Sequence, residues 1–382
     1  MNIKKGILVI TDIFSPIRGG TAVWFDEVYS RLGGKEIHIV TGETPGSEEV
    51  DRHHPNTIHR VLLKHSKWLR PYSLPIYLNL ARACLGVALR NRIRSVHCGK
   101  VLPEGLIGWM VATLFRIPLV IYAHGEEITT WKKSKRLYPM RFSYRHADKV
   151  IANSEFTREE LLKLGVDAAR IEIISPGVNL ERYQPENAKR GLRESLNIHP
   201  NQKLILSVGR LSLRKGFDQV IRALPGLLRS GVDVHYAIIG KGESADHLKL
   251  LAQEMGVQER VHFLGSVMDE ALPGWYYTCD VFAMPNREID GDTEGFGMVF
   301  LEAAACGKPT IAGEAGGTGA AVLNGVTGLR VNGSSIDQVQ QALEKLLSDD
   351  TLNEKLGQAG LKRAQNLFDW NMVAQKTASI LD

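Results

Sequence analysis

Short apolar runs rich in Val and Ile alternate with amphipathic segments of about ten to fifteen residues along the chain, the pattern of parallel βαβ units. In the first half this pattern predicts strands near 6–11, 36–41, 94–98, 118–123, 148–152 and 171–174. It restarts with strands near 203–208, 234–239, 260–264, 280–284, 309–312 and 328–331, and three helical segments, 335–347, 350–366 and 369–381, close the chain. Between the halves, the stretch 175–202 replaces alternation with Pro, Asn and charge, as a domain boundary does. The expectation is an α/β protein of two doubly wound domains, 1–178 and 179–368, with the last helix, 369–382, packing back on the first.

The length of 382 residues agrees, since it exceeds what one hydrophobic core usually supports. The longest apolar region, "LIGWMVATLFRIPLVIYA" at 106–123, is interrupted by Arg116 and Pro118 and reads as a helix followed by a strand, not as a membrane span. Cys84, Cys98, Cys279 and Cys306 lack metal-ligand spacing and sit in apolar segments, as reduced core residues of a cytoplasmic protein do.

Charge alters the picture more. Residues 1–175 hold 26 Lys and Arg against 17 Asp and Glu, whereas residues 176–382 hold 21 against 25. The stretch 52–103 has ten basic side chains and no acid, and 128–147 has six more and again none. With Trp68, Trp109 and Trp131 close to that charge, the first domain is expected to dock on an anionic membrane surface. The Trp275-Tyr276-Tyr277 cluster lacks a basic surround and reads as packing, so no nucleic-acid partner is expected.

Ligands of doubly wound sheets bind beyond the carboxyl ends of strands. Two motifs fall there in the second half: "GRLSLRKGF" (209–217) and "EGFGMVFLEAAACGKP" (294–309). In the latter a helix should start near Gly297, run through Ala305 and stop at Gly307 with Pro309 beyond. The open amides of Gly297, Met298 and Val299 would make an anion site. Glu302 would lie roughly 7–8 Å along the axis, with Glu294 on the other side. One carboxylate per sugar, and amides for the phosphates between them, suits a nucleotide diphosphate sugar.

The assembly Gly-Arg-Leu-x-x-x-Lys-Gly at 209–216, Glu-Gly-Phe-Gly with a second Glu at 294–302, "AHGEE" at 123–127 and Gly19-Gly20 resembles glycosyltransferase family 4 over essentially the full length. That resemblance implies the GT-B fold, two Rossmann-like domains facing a central cleft, and a retaining transferase. Acceptor binding falls to the first domain and donor binding to the second. It implies that Arg210 and Lys215 hold the leaving diphosphate, Glu294 positions a donor-sugar hydroxyl, Glu302 takes the ribose hydroxyls and His124 reaches the transferred sugar. Gly19, Gly20, Gly209, Gly240, Val267, Met268, Phe296, Gly297, Met298 and Val299 complete the donor site, several through backbone alone.

Negative charge on the leaving diphosphate would be met by two cations and helix amides, so no metal and no cofactor is expected; "DGD" at 290–292 is then not a metal motif. Retention in this family is attributed to same-face attack, with a donor phosphate oxygen taking the acceptor proton. The 294–313 stretch looks most like the phosphatidylinositol-mannoside mannosyltransferases, which implies GDP-mannose as donor and a lipid-linked or glycan acceptor at the inner face of the cytoplasmic membrane. UDP-glucose or UDP-N-acetylglucosamine as donor, a nucleotide-sugar 2-epimerase on the same fold, and a non-catalytic nucleotide-binding subunit remain open alternatives.

Overall fold

A computed structural model describes residues 6–17, 19–64, 73–187 and 191–380; Trp68 lies outside them. The chain divides into two compact units, Met1–Pro176 joined by Trp370–Asp382, and Gly177–Asp369.

The first unit contains β1 (Gly6–Ile10), β2 (Ile37–Gly42), β3 (Thr57–Val61), β4 (Ile93–Cys98), β5 (Leu119–Ala123), β6 (Lys149–Ala152) and β7 (Ile171–Ile173). They form one parallel sheet in the order β3-β2-β1-β4-β5-β6-β7. The second unit has β8 (Lys203–Val208), β9 (Val234–Ile239), β10 (Val261–Gly265), β11 (Val281–Met284), β12 (Thr310–Gly313) and β13 (Gly328–Val331), in the parallel order β10-β9-β8-β11-β12-β13. Central strands such as β5, β9 and β11 are buried along their whole length, which is why they read as unbroken apolar runs.

One strand escapes the apolar pattern. β3, "TIHRV", is an edge strand whose five residues are all half-buried, so it needs no apolar run. His59 stacks on His38 of β2, and Arg60 pairs with Asp51.

In both sheets strand order reverses beside the first strand of the unit, between β1 and β4 and between β8 and β11. Such a switch point opens a crevice at the carboxyl ends of the strands. The helix Leu106–Phe115 ends at Arg116 in the left-handed region (φ 54°), and β5 follows it. The final helix, Trp370–Ser379, packs on helix Gly20–Leu32 in the first unit.

Candidate active site

The second unit builds its site from the loops after β8, β9, β11 and β12. After β8 the chain turns through Leu213–Lys215 into Gly216, whose φ is 79°. A Cβ at Gly216 would stand 2.1 Å from the Pro285 carbonyl oxygen. Glycine here lets the lysine-bearing turn lie against the loop after β11. Gly240 has φ 145°, and a Cβ there would meet the Gly209 carbonyl oxygen at 1.8 Å. Hydrogen bonds from Gly209 N to Ile239 O (2.9 Å) and from Leu211 N to Lys241 O (3.0 Å) lock these two loops together.

Lys215 and Arg214 both donate to the same oxygen of Glu294, Oε2, with Arg214 Nη1 at 3.0 Å. The three side chains are only 13%, 15% and 12% exposed. Burial pushes the Glu294 carboxyl up, but the two cations outweigh it and hold it below the usual carboxylate range. Arg214 Nε also pairs with Asp292 Oδ2 at 3.0 Å. The "DGD" stretch is therefore a tight turn, with Asp290 and Gly291 at positive φ, whose last carboxylate meets an arginine. Among the described residues no cluster of three or more His, Cys, Asp or Glu could hold a metal ion.

Arg210 stands elsewhere. Its side chain is 75% exposed and pairs with Glu243 of the loop after β9 at 3.1 Å. Of the two cations read from the motif, Lys215 meets Glu294 and Arg210 does not; Arg214, not singled out in the sequence, takes the second position. Its adjacency to Lys215 on one short turn was the available signal.

Helix Met298–Ala305 starts at Gly297 (φ 88°) with no side-chain cap, and the chain passes on through Gly307 (φ 68°). A Cβ on Gly297 would meet the Phe300 ring at 2.6 Å. The uncapped first turn presents amide hydrogens and the positive end of the helix dipole. Phe296 is buried and its ring meets Phe368, so it can offer a ligand only backbone.

Glu302, on the same helix, is half-buried and accepts from the Tyr276 hydroxyl at 2.6 Å. Burial raises its carboxyl, opposed by the Tyr276 hydroxyl, the Arg182 charge and the Tyr183 hydroxyl. Val267 packs on the core, whereas Met268 is 73% exposed at the loop after β10. A pocket lined by Arg182, Asp269, Glu270 and Pro273 adjoins that loop.

A further loop missed in the sequence is Gly313–Ala320, after β12. Gly317 N donates to Glu294 O at 2.7 Å, and buried Asn286 bridges Gly313 N (3.0 Å) and Ala315 O (2.9 Å). A Cβ at Gly316 (φ 71°) would lie 2.2 Å from Glu294 O. This loop fixes the backbone from which Glu294 projects.

In the first unit His124 follows β5, and its Nε2–H donates to the Gly99 carbonyl at 2.8 Å while Trp24 meets the ring edge-on at 5.7 Å. Glu127 caps the His124 amide at 3.0 Å. Gly19, extended, precedes the first turn of helix Gly20–Leu32, which no side chain caps. At the same strand ends Lys100 pairs with Asp12 at 3.1 Å, and Asp12 N donates to buried Glu104 at 3.0 Å. Neither Asp12, Lys100 nor Glu104 was read from the sequence as a site residue.

Two parallel Rossmann-like sheets, each with its polar residues gathered at a switch point, are the architecture of GT-B glycosyltransferases. An Anabaena protein, HepE, solved in complex with UDP, superposes with a TM-score of 0.82 at 21% identity, covering 98% of this chain and 99% of that one. Sucrose-phosphate synthase from Thermosynechococcus elongatus superposes with a TM-score of 0.83 at 23% identity, covering 99% and 98%. The family model "Glycosyltransferase Family 4" matches residues 18–182, and "Glycosyl transferases group 1" matches residues 188–363. A GDP-mannose-dependent alpha-(1-6)-phosphatidylinositol monomannoside mannosyltransferase of Mycolicibacterium smegmatis is 30% identical over 379 residues, 98% of each chain. A GDP-mannose-dependent monoacylated alpha-(1-6)-phosphatidylinositol monomannoside mannosyltransferase of Corynebacterium glutamicum is 27% identical over 385 residues, 100% of this chain and 99% of that one. The chain belongs to glycosyltransferase family 4.

Proposed function

We propose that this glycosyltransferase moves mannose, with retention, from GDP-mannose to a lipid-linked acceptor of the phosphatidylinositol-mannoside kind. The observation that carries the reading is Glu294, held by Lys215 and Arg214 beside the uncapped start of helix Met298–Ala305. Cations and amides at one point suit a diphosphate leaving group, and the adjoining carboxylate suits a sugar hydroxyl. The donor sugar and base follow from the full-length relatives, which are GDP-mannose-dependent.

Arg210 is exposed and pairs with Glu243, so the proposed role on the diphosphate requires it to leave Glu243 for the incoming phosphate. Glu302 would take the ribose, sharing its carboxylate with the Tyr276 hydroxyl. Gly19, Gly20 and His124 of the first unit are proposed to serve the same reaction, and the chain's own cations make metal unnecessary in it.

A thermal-shift panel of GDP, UDP and ADP tests the donor. GDP should raise the midpoint most; stabilisation by UDP alone would replace mannose by a UDP-sugar. Incubation with GDP-mannose and no acceptor should leave the sugar unisomerised, in contrast to an epimerase.

For the acceptor side we propose docking on the anionic inner face of the cytoplasmic membrane. No helix among the described residues is long and apolar enough to cross a membrane. Helices Leu74–Arg90, Leu106–Phe115 and Leu137–His146 pack in succession and contain no Asp or Glu. They expose Leu78, Leu89, Leu114 and Tyr138 together with Arg82, Arg90, Arg141 and Arg145. Apolar side chains among basic ones suit an interface with anionic headgroups. Cosedimentation equal on anionic and neutral vesicles would remove this part of the reading.

A further inference from the structure

Four charged side chains form one line in the second unit: Asp292, Arg214, Glu294 and Lys215. The order raises a question of charge. Lys215 is the ammonium proposed above for the donor diphosphate, yet it rests on Glu294. If it turned to phosphate and nothing replaced it, a carboxylate only 12% exposed would lose its nearest cation, which is costly for a group so far removed from water.

Arg214 removes that conflict. Its Nη1 meets Glu294 Oε2 from the same turn that bears Lys215, while its Nε is held by Asp292. Its own backbone is fixed as well, since Arg287 N donates to the Arg214 carbonyl at 2.8 Å. Arg287 in turn makes a two-pronged pair with buried Asp218 at 3.0 and 2.8 Å. Arg214 can therefore stay in place while the flexible lysine moves. Both cations converge on Oε2, so Oε1 is the atom left to accept from a ligand.

We propose that Arg214, oriented by Asp292, is a positioning residue: it neutralises Glu294 through Oε2, releases Lys215 to the donor diphosphate and leaves Oε1 for a donor-sugar hydroxyl. This gives the "DGD" turn a role that the sequence does not suggest, as the anchor of an arginine. It rests on the reading that a nucleotide diphosphate sugar binds here.

The groups facing Glu294 set the expected pH behaviour. Lys215 and Arg214 face it from the turn after β8, and Asp292 lies beyond Arg214. The Gly313–Ala320 loop presents backbone, its one charged residue, Glu314, being exposed. Helix Met298–Ala305 presents its N-terminal dipole. Only the two cations favour the carboxylate as full charges, so losing Arg214 raises the Glu294 titration and tightens the hold of Glu294 on Lys215.

The test compares wild type, Arg214→Gln, Arg214→Lys and Asp292→Asn. For Arg214→Gln the acid limb of the kcat/KM profile for GDP-mannose should move up by about one pH unit, and GDP should bind about tenfold more weakly. Asp292→Asn should move both in the same direction by less, and Arg214→Lys should recover part of the loss. A merely structural role would lower the melting temperature and leave the acid limb where it is. An unmoved limb together with unchanged GDP affinity in folded Arg214→Gln overturns the proposal. Should that variant not fold, the same result in Asp292→Asn, whose carboxylate is 47% exposed, overturns it. Failure of wild type to bind any of GDP, UDP or ADP would instead sink the functional reading on which the proposal rests.

Discussion

Single side chains decide how the proposed chemistry can be broken. Lys215→Ala removes one of two cations from Glu294 and the ammonium assigned to the diphosphate. Turnover should fall by about 10²–10³, the usual loss for one electrostatic contact in a transition state, while Arg214 keeps Glu294 paired and the fold intact. Steady-state rates beside a melting curve separate the two effects. Glu302→Ala should instead raise KM for the donor more than it lowers kcat, because a ribose contact is uniform across the reaction. Glu104 makes a stability prediction. It is fully buried, and burial, then the Asp12 charge, push its carboxyl up to about 8 against the opposing pull of Lys100. The folded state thus holds a proton that the unfolded chain releases near its ordinary value. Stability is fully present below the unfolded pKa and declines by about 1.4 kcal/mol per unit as pH rises toward the folded one. Glu104→Gln, which keeps an acceptor for the Asp12 amide, should flatten this decline between pH 6 and 8 in urea titrations.

Elements show what the letters could and could not tell. The helix Met298–Ala305 was legible because its stop signals, Gly307 and Pro309, and its glycine start are properties of backbone that one residue type satisfies. Lys215 and Glu294 were legible as charges at strand ends. Arg214 was not, since of three basic residues in "GRLSLRKG" the side chain that turns inward depends on the phase of a three-residue turn. β3 was missed because a half-buried edge strand tolerates His and Arg where a central strand does not. The Gly313–Ala320 loop was missed because its glycines answer close backbone approaches to Glu294 and Asn286, invisible without the partner. Gly216 offers the sharpest element-scale test. Alanine there would need φ 79° and a Cβ 2.1 Å from a carbonyl oxygen. Gly216→Ala should therefore cost about 1–3 kcal/mol and displace Lys215, weakening GDP binding beyond what the lost stability explains. Gly231→Ala, with a similar φ of 88° but open space around it, is the control: strain without displacement.

At the scale of the whole molecule the chain passes between its units twice, at Pro176–Gly177 and again at Asp369–Trp370. The second passage gives the first unit a helix that its own 176 residues do not supply. Trp370 is 1% exposed, Val373, Ala374, Thr377 and Ala378 are buried with it, and Arg31 donates to Asn371 at 3.2 Å. A helix so amphipathic has no reason to stay folded in water once its apolar face is uncovered, so the first unit depends on the end of the chain for part of its core. Trp370→Ala should destabilise it by about 3–5 kcal/mol. The loss should be local: amide exchange should accelerate in helix Gly20–Leu32, on which the final helix packs, and in the adjoining β5, while β8, β9 and β11 keep their protection. GDP should do the reverse, slowing exchange in 209–217, 294–299 and 313–320 of the second unit. The variant should then still bind GDP with near wild-type affinity although its transfer activity falls, because the proposed donor-binding residues other than Gly19 and Gly20 lie between Gly177 and Asp369. Loss of GDP affinity in Trp370→Ala, measured by calorimetry below its melting temperature, would mean that the residues of the second unit do not suffice to bind GDP.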